Sequence, residues 1–210
     1  MAELTKEQQK ELFRQVNGAL ENVNVKEITE ESDVNTFEEL PDGYYLCELT
    51  AQEVAFNKAG TTPQVKFTFE VKEGYTLEPN AKNPMVNDVK PILDAKGKPI
   101  DFMKRKSKIW TYHALAPQEK LTRTIAVLKK FEDPENLLLI DNENFKHQQI
   151  LDDEAFEDAE ILLDALEALV GSMIWVQNDV SEKDDGTVST WKNVITWLRA
   201  KKLGLPVSMK

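Results

Sequence analysis

Along this chain the spacing of hydrophobic positions changes, and the changes mark out its elements. Over residues 4–20, LTKEQQKELFRQVNGAL, the apolar residues Leu12, Val16 and Leu20 recur every four positions, which predicts an amphipathic helix. Thr5 and Gln8 are spaced for a capping box at its start. Residues 21–40 are acidic and aperiodic and read as a linker. From Pro41-Asp42-Gly43 the pattern changes: "PDGYYLCELTAQEVAF" predicts a long strand, and "NKAGTT" predicts a turn. "PQVKFTFEVKEG" then alternates cleanly. Val65, Phe67, Phe69 and Val71 fall on one face of a half-buried strand, with Lys66, Thr68, Glu70 and Lys72 on the other.

Residues 73–104 carry prolines 79, 84, 91 and 99 and read as a long loop or inserted ribbon, with a small hairpin around Ala95-Lys96-Gly97. "KRKSKIWTYHAL" is a third strand. "APQEKLTRTIAVLKKF" is a helix with Leu121, Ile125, Leu128 and Phe131 on one side, and residues 153–169 form a second, acidic helix. Two strands flanking "SEKDDGT" close the pattern, in a segment (173–199) that holds three of the four tryptophans.

Five strands with helices between the third and fourth follow the order of an OB-fold barrel. An α/β sheet is the alternative, but hairpin-length turns between strands 1 and 2 and between 4 and 5 favour antiparallel pairing. The expected fold is mainly β with α additions (α+β). It is a five-stranded OB-fold barrel with an N-terminal helix and helices between strands 3 and 4. The expected organisation is an N-terminal helix and acidic linker over 1–40 and an OB-fold domain over 41–200. A helical insertion occupies about 115–170 of that domain, and a short basic tail covers 201–210.

Composition narrows the classes. At 210 residues, 41% hydrophobic and 30% charged, the chain can bury a sizeable core. No apolar run reaches the roughly 18 residues of a membrane span, and "MAELTKEQQKELF" has no apolar leader core, so a cytoplasmic, non-membrane setting is expected. A single cysteine, Cys47, excludes an internal disulfide; with only two histidines, a Cys/His zinc site is not expected either. The net charge of −11 argues against nucleic acid only until its distribution is read. Residues 41–130 carry 15 basic and 10 acidic side chains, whereas 131–170 carry 1 and 13. A binding face is a local property, and the strand-rich segments are the positive ones.

No Gly-rich phosphate loop, GxSxG, HExxH or Cys/His pair at useful spacing is present, so neither catalysis nor a cofactor is expected. The acidic cluster from Asp152 to Glu160 opens a predicted helix. It fits a solvated face that also favours the helix dipole, and alternatively a docking surface for a basic partner or a metal site. Cys47 reads as a small core hydrophobe and His113 as a satisfied structural residue.

"MKRKSKIWTY" carries more information. Alternation places Lys104, Lys106, Lys108, Trp110 and Tyr112 on one face. Cations followed by aromatics on a strand suit single-stranded nucleic acid, with lysines along the phosphates and rings stacking on unpaired bases. The competing reading makes the rings core and the lysines a protected edge strand. In the last strand Trp191, Asn193, Ile195 and Trp197 share one parity. Ile195 and Trp197 read as core, and Trp191, beside the turn, remains a candidate stacking ring.

Several pieces are similar to a group of bacteriophage proteins. These are Asp42-Gly43-Tyr44 opening the first strand, the Lys58/Gly60 turn, the Val170, Gly171, Met173, Val176 run, and Trp191 followed by Asn193 and Val194. Over roughly residues 40–200 the chain resembles small phage OB-fold single-stranded DNA-binding proteins of replication and recombination. The resemblance implies sequence-independent binding of single-stranded DNA, no cofactor and self-association as a homo-oligomer. Many such proteins end in an acidic tail that recruits partners. This chain ends in the basic "LRAKKLGLPVSMK" and carries its acidic block internally, at 151–167, where replication or recombination proteins could dock instead.

The reading is therefore a non-enzymatic single-stranded DNA-binding protein. Lys58, Lys66, Lys72, Arg105, Lys106 and Lys108 are the candidate phosphate contacts, and Tyr44, Trp110, Tyr112 and Trp191 the candidate stacking residues. An acidic protein-binding adaptor and a virion structural subunit are the alternatives.

Overall fold

The computed structural model describes residues 5–21, 40–83, 86–94, 96–131, 158–182 and 188–207. Its centre is an antiparallel sheet of six strands: β1 (Gly43–Phe56), β2 (Pro63–Pro79), β3 (Asn87–Pro91), β4 (Lys108–Ala114), β5 (Met173–Glu182) and β6 (Val188–Ile195). The main path runs β3-β2-β1-β5-β6, and β4 also pairs with β2. Among the described residues five helices accompany it: α1 (Lys6–Leu20), α2 (Phe102–Arg105), α3 (Gln118–Leu128), α4 (Ala159–Ala168) and α5 (Trp197–Lys202). No helix among the described residues is long and apolar enough to cross a membrane.

β2 organises the sheet. One edge pairs with β1 along nearly its whole length, while the other takes β4 opposite Gln64–Glu70 and then β3 opposite Tyr75–Pro79. The alternation read from the sequence is realised: Val65, Phe67, Phe69 and Val71 are all fully buried. Register shifts at Leu46/Cys47 and Leu49/Ala51 place bulges in the β1–β2 ladder, the usual device for bending a sheet. The sheet does not close. β4 and β6 lie at opposite ends of the strand order and do not pair among the described residues, so a complete barrel is not formed.

The inner face of the sheet holds Phe67 and Phe69, which pack with Phe131 just beyond α3 at ring-centroid distances of 6.2 and 6.4 Å. Leu121, Ile125 and Leu128 complete the helical side of this core, as their spacing predicts. α1 keeps the predicted capping box between Thr5 and Gln8. It packs on α3 and α4, and its Asn17 Oδ1 accepts a hydrogen bond from Ala159 N, at the start of α4, at 2.6 Å. The acidic helix begins at Ala159; residues 153–157 of its predicted span, and the linker over 22–39, lie outside the described residues.

Three expectations need correction. The strand parity drawn back to Lys104 fails because residues 102–105 form the short helix α2. Asp101 caps it by accepting from Lys104 N, Lys106 ends it at φ 52°, and Phe102 anchors it edge-on against Tyr45 at 5.6 Å. Gly74 makes that anchor possible, since a Cβ there would sit 2.7 Å from Phe102 Cε2. Of the two readings of the 73–104 stretch, the ribbon holds and the loop does not: β2 continues to Pro79, β3 pairs with it as a sixth strand, and a Leu93–Pro99 bridge stands where the small hairpin is expected. Finally, Trp197 does not belong to the last strand. Thr196 caps a new helix by accepting from Arg199 N, and Trp197 is its first residue.

His113 sits on the inner face, 5% exposed, with Nε2 2.9 Å from Thr111 Oγ1. Burial, aided by the charge of Lys130, lowers its pKa to about 3. The unfolded chain therefore binds a proton at His113 that the native state refuses. Its contribution is intact above pH 6.5 and is lost as the pH falls from 6.5 towards 3. Between pH 7.5 and 5 the loss expected from this group is about 2 kcal/mol. Urea unfolding at those two pH values measures it: His113→Gln should flatten the pH dependence by that amount, and parallel profiles would refute the assignment.

Candidate nucleic-acid interface

The outer face of β2 and β4 forms a compact array. Ladder pairing sets Lys66 beside Tyr112, Thr68 beside Trp110 and Glu70 beside Lys108. β1 adds Glu53 next to Lys66 and Ala51 next to Thr68. Ile109, Thr111 and His113 point inward and are buried, so the alternation of β4 necessarily turns Lys108, Trp110 and Tyr112 outward. Tyr112 is 43% exposed, and Trp110 is half-buried with Lys66 Nζ 5.9 Å from its ring centroid. That is cation–π range, which holds the lysine near the ring and leaves its charge at the surface.

The cations divide sharply. Lys72 is tied down, its Nζ lying 2.7 Å from Glu48 and 2.8 Å from Glu70. Burial alone would lower its pKa, but hydrogen bonds to the two carboxylates outweigh that and raise it. Glu70 is correspondingly lowered, first by the Lys72 hydrogen bond and then by the nearby charges of Lys72, Lys108 and Lys106. Lys106 and Lys108 therefore border the array on the Glu70 side, with Arg105 exposed in α2 next to them. At the other end Lys58 is exposed in the β1–β2 turn, which Asn57 holds by accepting from Thr61 N at 2.9 Å. Gly60 gives that turn its positive φ of 70°.

Tyr44 and Trp191 are not part of this array. They share its face of the sheet, but the Tyr44–Tyr75 row lies seven residues along β2 from the Thr68–Trp110 row, about 20 Å away. Burial raises the Tyr44 pKa, opposed by the charge of Arg199 and reinforced by that of Asp179. Trp191 is half-buried on β6, across from Asp179. Between the two regions the row Leu46–Trp175–Ile195 is fully buried. The Tyr75 ring lies 6.0 Å from that of Trp175 in this row. α5 packs on β5, and a Cβ on Gly204 would stand 3.6 Å from Val89 Cγ2 on β3. Gly204 thus approaches β3, and the neighbouring Leu205 is 3% exposed.

Lys192, the neighbour of Trp191, is fully buried on the opposite face of β6 together with Val194. Cys47 is buried there too, its thiol pKa pushed up by burial. Among the described residues no three of His, Cys, Asp and Glu converge as metal ligands would. The acidic block at 151–167 is described only from residue 158 onward.

No protein-family model matches the chain, and no curated protein shows significant similarity to it.

Proposed function

We propose that the chain is a non-enzymatic, sequence-independent single-stranded DNA-binding protein on an OB-type scaffold, acting in phage DNA replication or recombination in the host cytoplasm. The observation that carries the proposal is the Lys108–Trp110–Tyr112 stripe of β4 beside Lys66, outward-facing and bordered by Lys58 and Lys106. OB-folds bind oligonucleotides on the face of their second and third strands and the loop between their first and second. With β3 set aside as an added edge strand, those parts correspond to β2, β4 and the Asn57–Thr62 turn. The pairing order β4-β2-β1-β5-β6 supports the same scaffold, since β4 and β6 are the two ends a closed barrel would join. Self-association belongs to the same reading.

Mechanistically, unpaired bases stack on Trp110 and Tyr112 while Lys66, Lys108 and their neighbours follow the phosphates. Stacking needs no base identity, and the cations see only the backbone. Duplex DNA, with its bases already stacked, offers the rings nothing.

The experiment is quenching of tryptophan fluorescence by oligo-dT across a salt series. Quenching is expected, with affinity falling steeply as salt rises; no quenching at low salt would refute the proposal. The lysines separate in the same series. Lys66→Gln and Lys108→Gln should each make the slope of log K against log salt shallower by about 0.7. Lys72→Gln should leave the slope unchanged, because that ammonium is already neutralised by Glu48 and Glu70. An equal effect at all three would mean that the lysines act only through overall charge.

A further inference from the structure

Between β3 and β4 the chain forms a small charged limb. Leu93 is bridged to Pro99, Asp94 N donates to Lys98 O at 2.7 Å, and Ile100 N donates to Ile92 O at 2.9 Å. Asp101 then caps α2. The limb joins the sheet without a break: Ser107 O accepts from Val71 N at 2.9 Å, and β4 starts at the next residue. Three residues separate Lys98 from Asp101, at most about 11 Å, and α2 adds about 6 Å. The turn, α2 and Lys108 are therefore within one short reach.

Charge is concentrated there. Residues 94–108 carry six cations, Lys96, Lys98, Lys104, Arg105, Lys106 and Lys108, against two carboxylates, Asp94 and Asp101. The backbone occupies both carboxylates. Asp94 Oδ1 accepts from Lys96 N and Lys98 N, and Asp101 Oδ1 accepts from Lys104 N. All six cations are exposed, and none stands in a salt bridge among the described residues. Lys90 on β3, by contrast, is paired with Glu78. Like charges at this density repel one another and attract an anion that runs past them. Lys106 is the second observation. It is the one non-glycine residue at positive φ among the described residues, 52°, a conformation that favours glycine or asparagine. The chain keeps a lysine there at a cost in backbone energy. The charges of Lys106 and Lys108 both reach Glu70, so limb and array meet on the outer face.

We infer that this limb, Lys96 and Lys98 of the turn with Lys104, Arg105 and Lys106 around α2, is a second phosphate-binding stretch that takes the single strand as it leaves the sheet at Lys108. The inference rests on the single-stranded DNA reading and gives the strand an exit from the sheet face. Phe102 is the only aromatic residue of 96–106, and it is buried against Tyr45. The limb therefore holds phosphates and adds no stacking, so nucleotides bound there add salt dependence without further quenching.

The probes are labelled dT oligomers of increasing length, titrated by anisotropy across a salt series. For the wild type the slope of log K against log salt should steepen with length while the amplitude of tryptophan quenching stays constant. Lys96→Gln/Lys98→Gln and Lys104→Gln/Arg105→Gln should each make the slope for long oligomers shallower by about 1.4, twice the value per contact, and leave the shortest binding oligomers unaffected. Lys6→Gln/Lys10→Gln, the same loss of charge on exposed positions of α1, should change nothing. Lys106→Gly should raise the urea midpoint and yet make the slope shallower by about 0.7. A lower midpoint or an unchanged slope would overturn the role of that lysine. If the limb variants match the wild type at every length while quenching persists, the limb is refuted and the DNA reading stands. An equal effect of the α1 variant would refute it too, since only overall charge would then matter. If the wild type binds none of the oligomers, both fall.

Discussion

Trp110→Ala is expected to lower affinity for oligo-dT by about 10- to 100-fold, the value of one to two kcal/mol-scale base-stacking contacts, while leaving the protein folded. The separation follows from position. Trp110 is half-buried on the outer face of a strand that, among the described residues, pairs with β2 alone, and its ladder neighbour is the small Thr68. Truncation exposes Thr68 and frees Lys66 from the ring it overlies, but opens no cavity in the inner core, where Ile109 and Thr111 hold β4 in place. The stability cost should be about 1 kcal/mol or less. Fluorescence anisotropy of labelled oligo-dT reads affinity without depending on the tryptophan removed, and a urea titration reads stability. Unchanged affinity would remove Trp110 from the interface. Loss of cooperative unfolding would mean that the ring belongs to the core.

Trp175→Ala should do the opposite. This ring is fully buried between Leu46 and Ile195 and lies 6.0 Å from the Tyr75 ring. Removing it leaves a cavity that the flanking strands cannot fill without breaking register. The expected cost is about 3–5 kcal/mol, a large part of the total stability of an ordinary domain. Its Nε1 has no hydrogen-bond partner among the described residues, so the ring acts through shape and area. Trp175→Phe should therefore cost less than half as much. In urea both variants should bind oligo-dT like the wild type wherever they remain folded. A loss of affinity in folded Trp175→Phe would connect the two regions of the face in a way the structure does not.

These two tryptophans also show how far the sequence could be read. The β2 alternation is visible because four apolar residues at a strict period of two must share a face, and burial of Val65, Phe67, Phe69 and Val71 follows. The α3 stripe is legible for the same reason at a longer period. Past those elements, local pattern misleads. Lys104 and Lys106 continue the parity of β4 on paper, but a short-range cap from Asp101 and a long-range anchor, Phe102 on Tyr45 and Gly74, turn the chain into a helix first. Trp197 continues the parity of β6, but Thr196 is a helix cap and the chain leaves the sheet.

Within the candidate site, the Lys108–Trp110–Tyr112 face could be drawn from spacing alone. Its partners could not. That Lys66 lies over Trp110 while Lys72 is neutralised by Glu48 and Glu70 depends on the register of β1 and β2 and on the extra residue opposite Leu46/Cys47. Tyr44 and Trp191 are also candidate stacking residues, and only the strand order and register separate them from the Trp110 array, Tyr44 by some 20 Å along β2 and Trp191 by lying on β6.

The central claim is that this sheet face takes unpaired bases. The most direct measurement is an anisotropy titration at low salt with a labelled dT oligomer and, in parallel, a duplex of equal length. Binding of the single strand, with the duplex at least tenfold weaker and both weakened by added salt, is the expected result. Equal affinity for the two, or binding of neither, would contradict it.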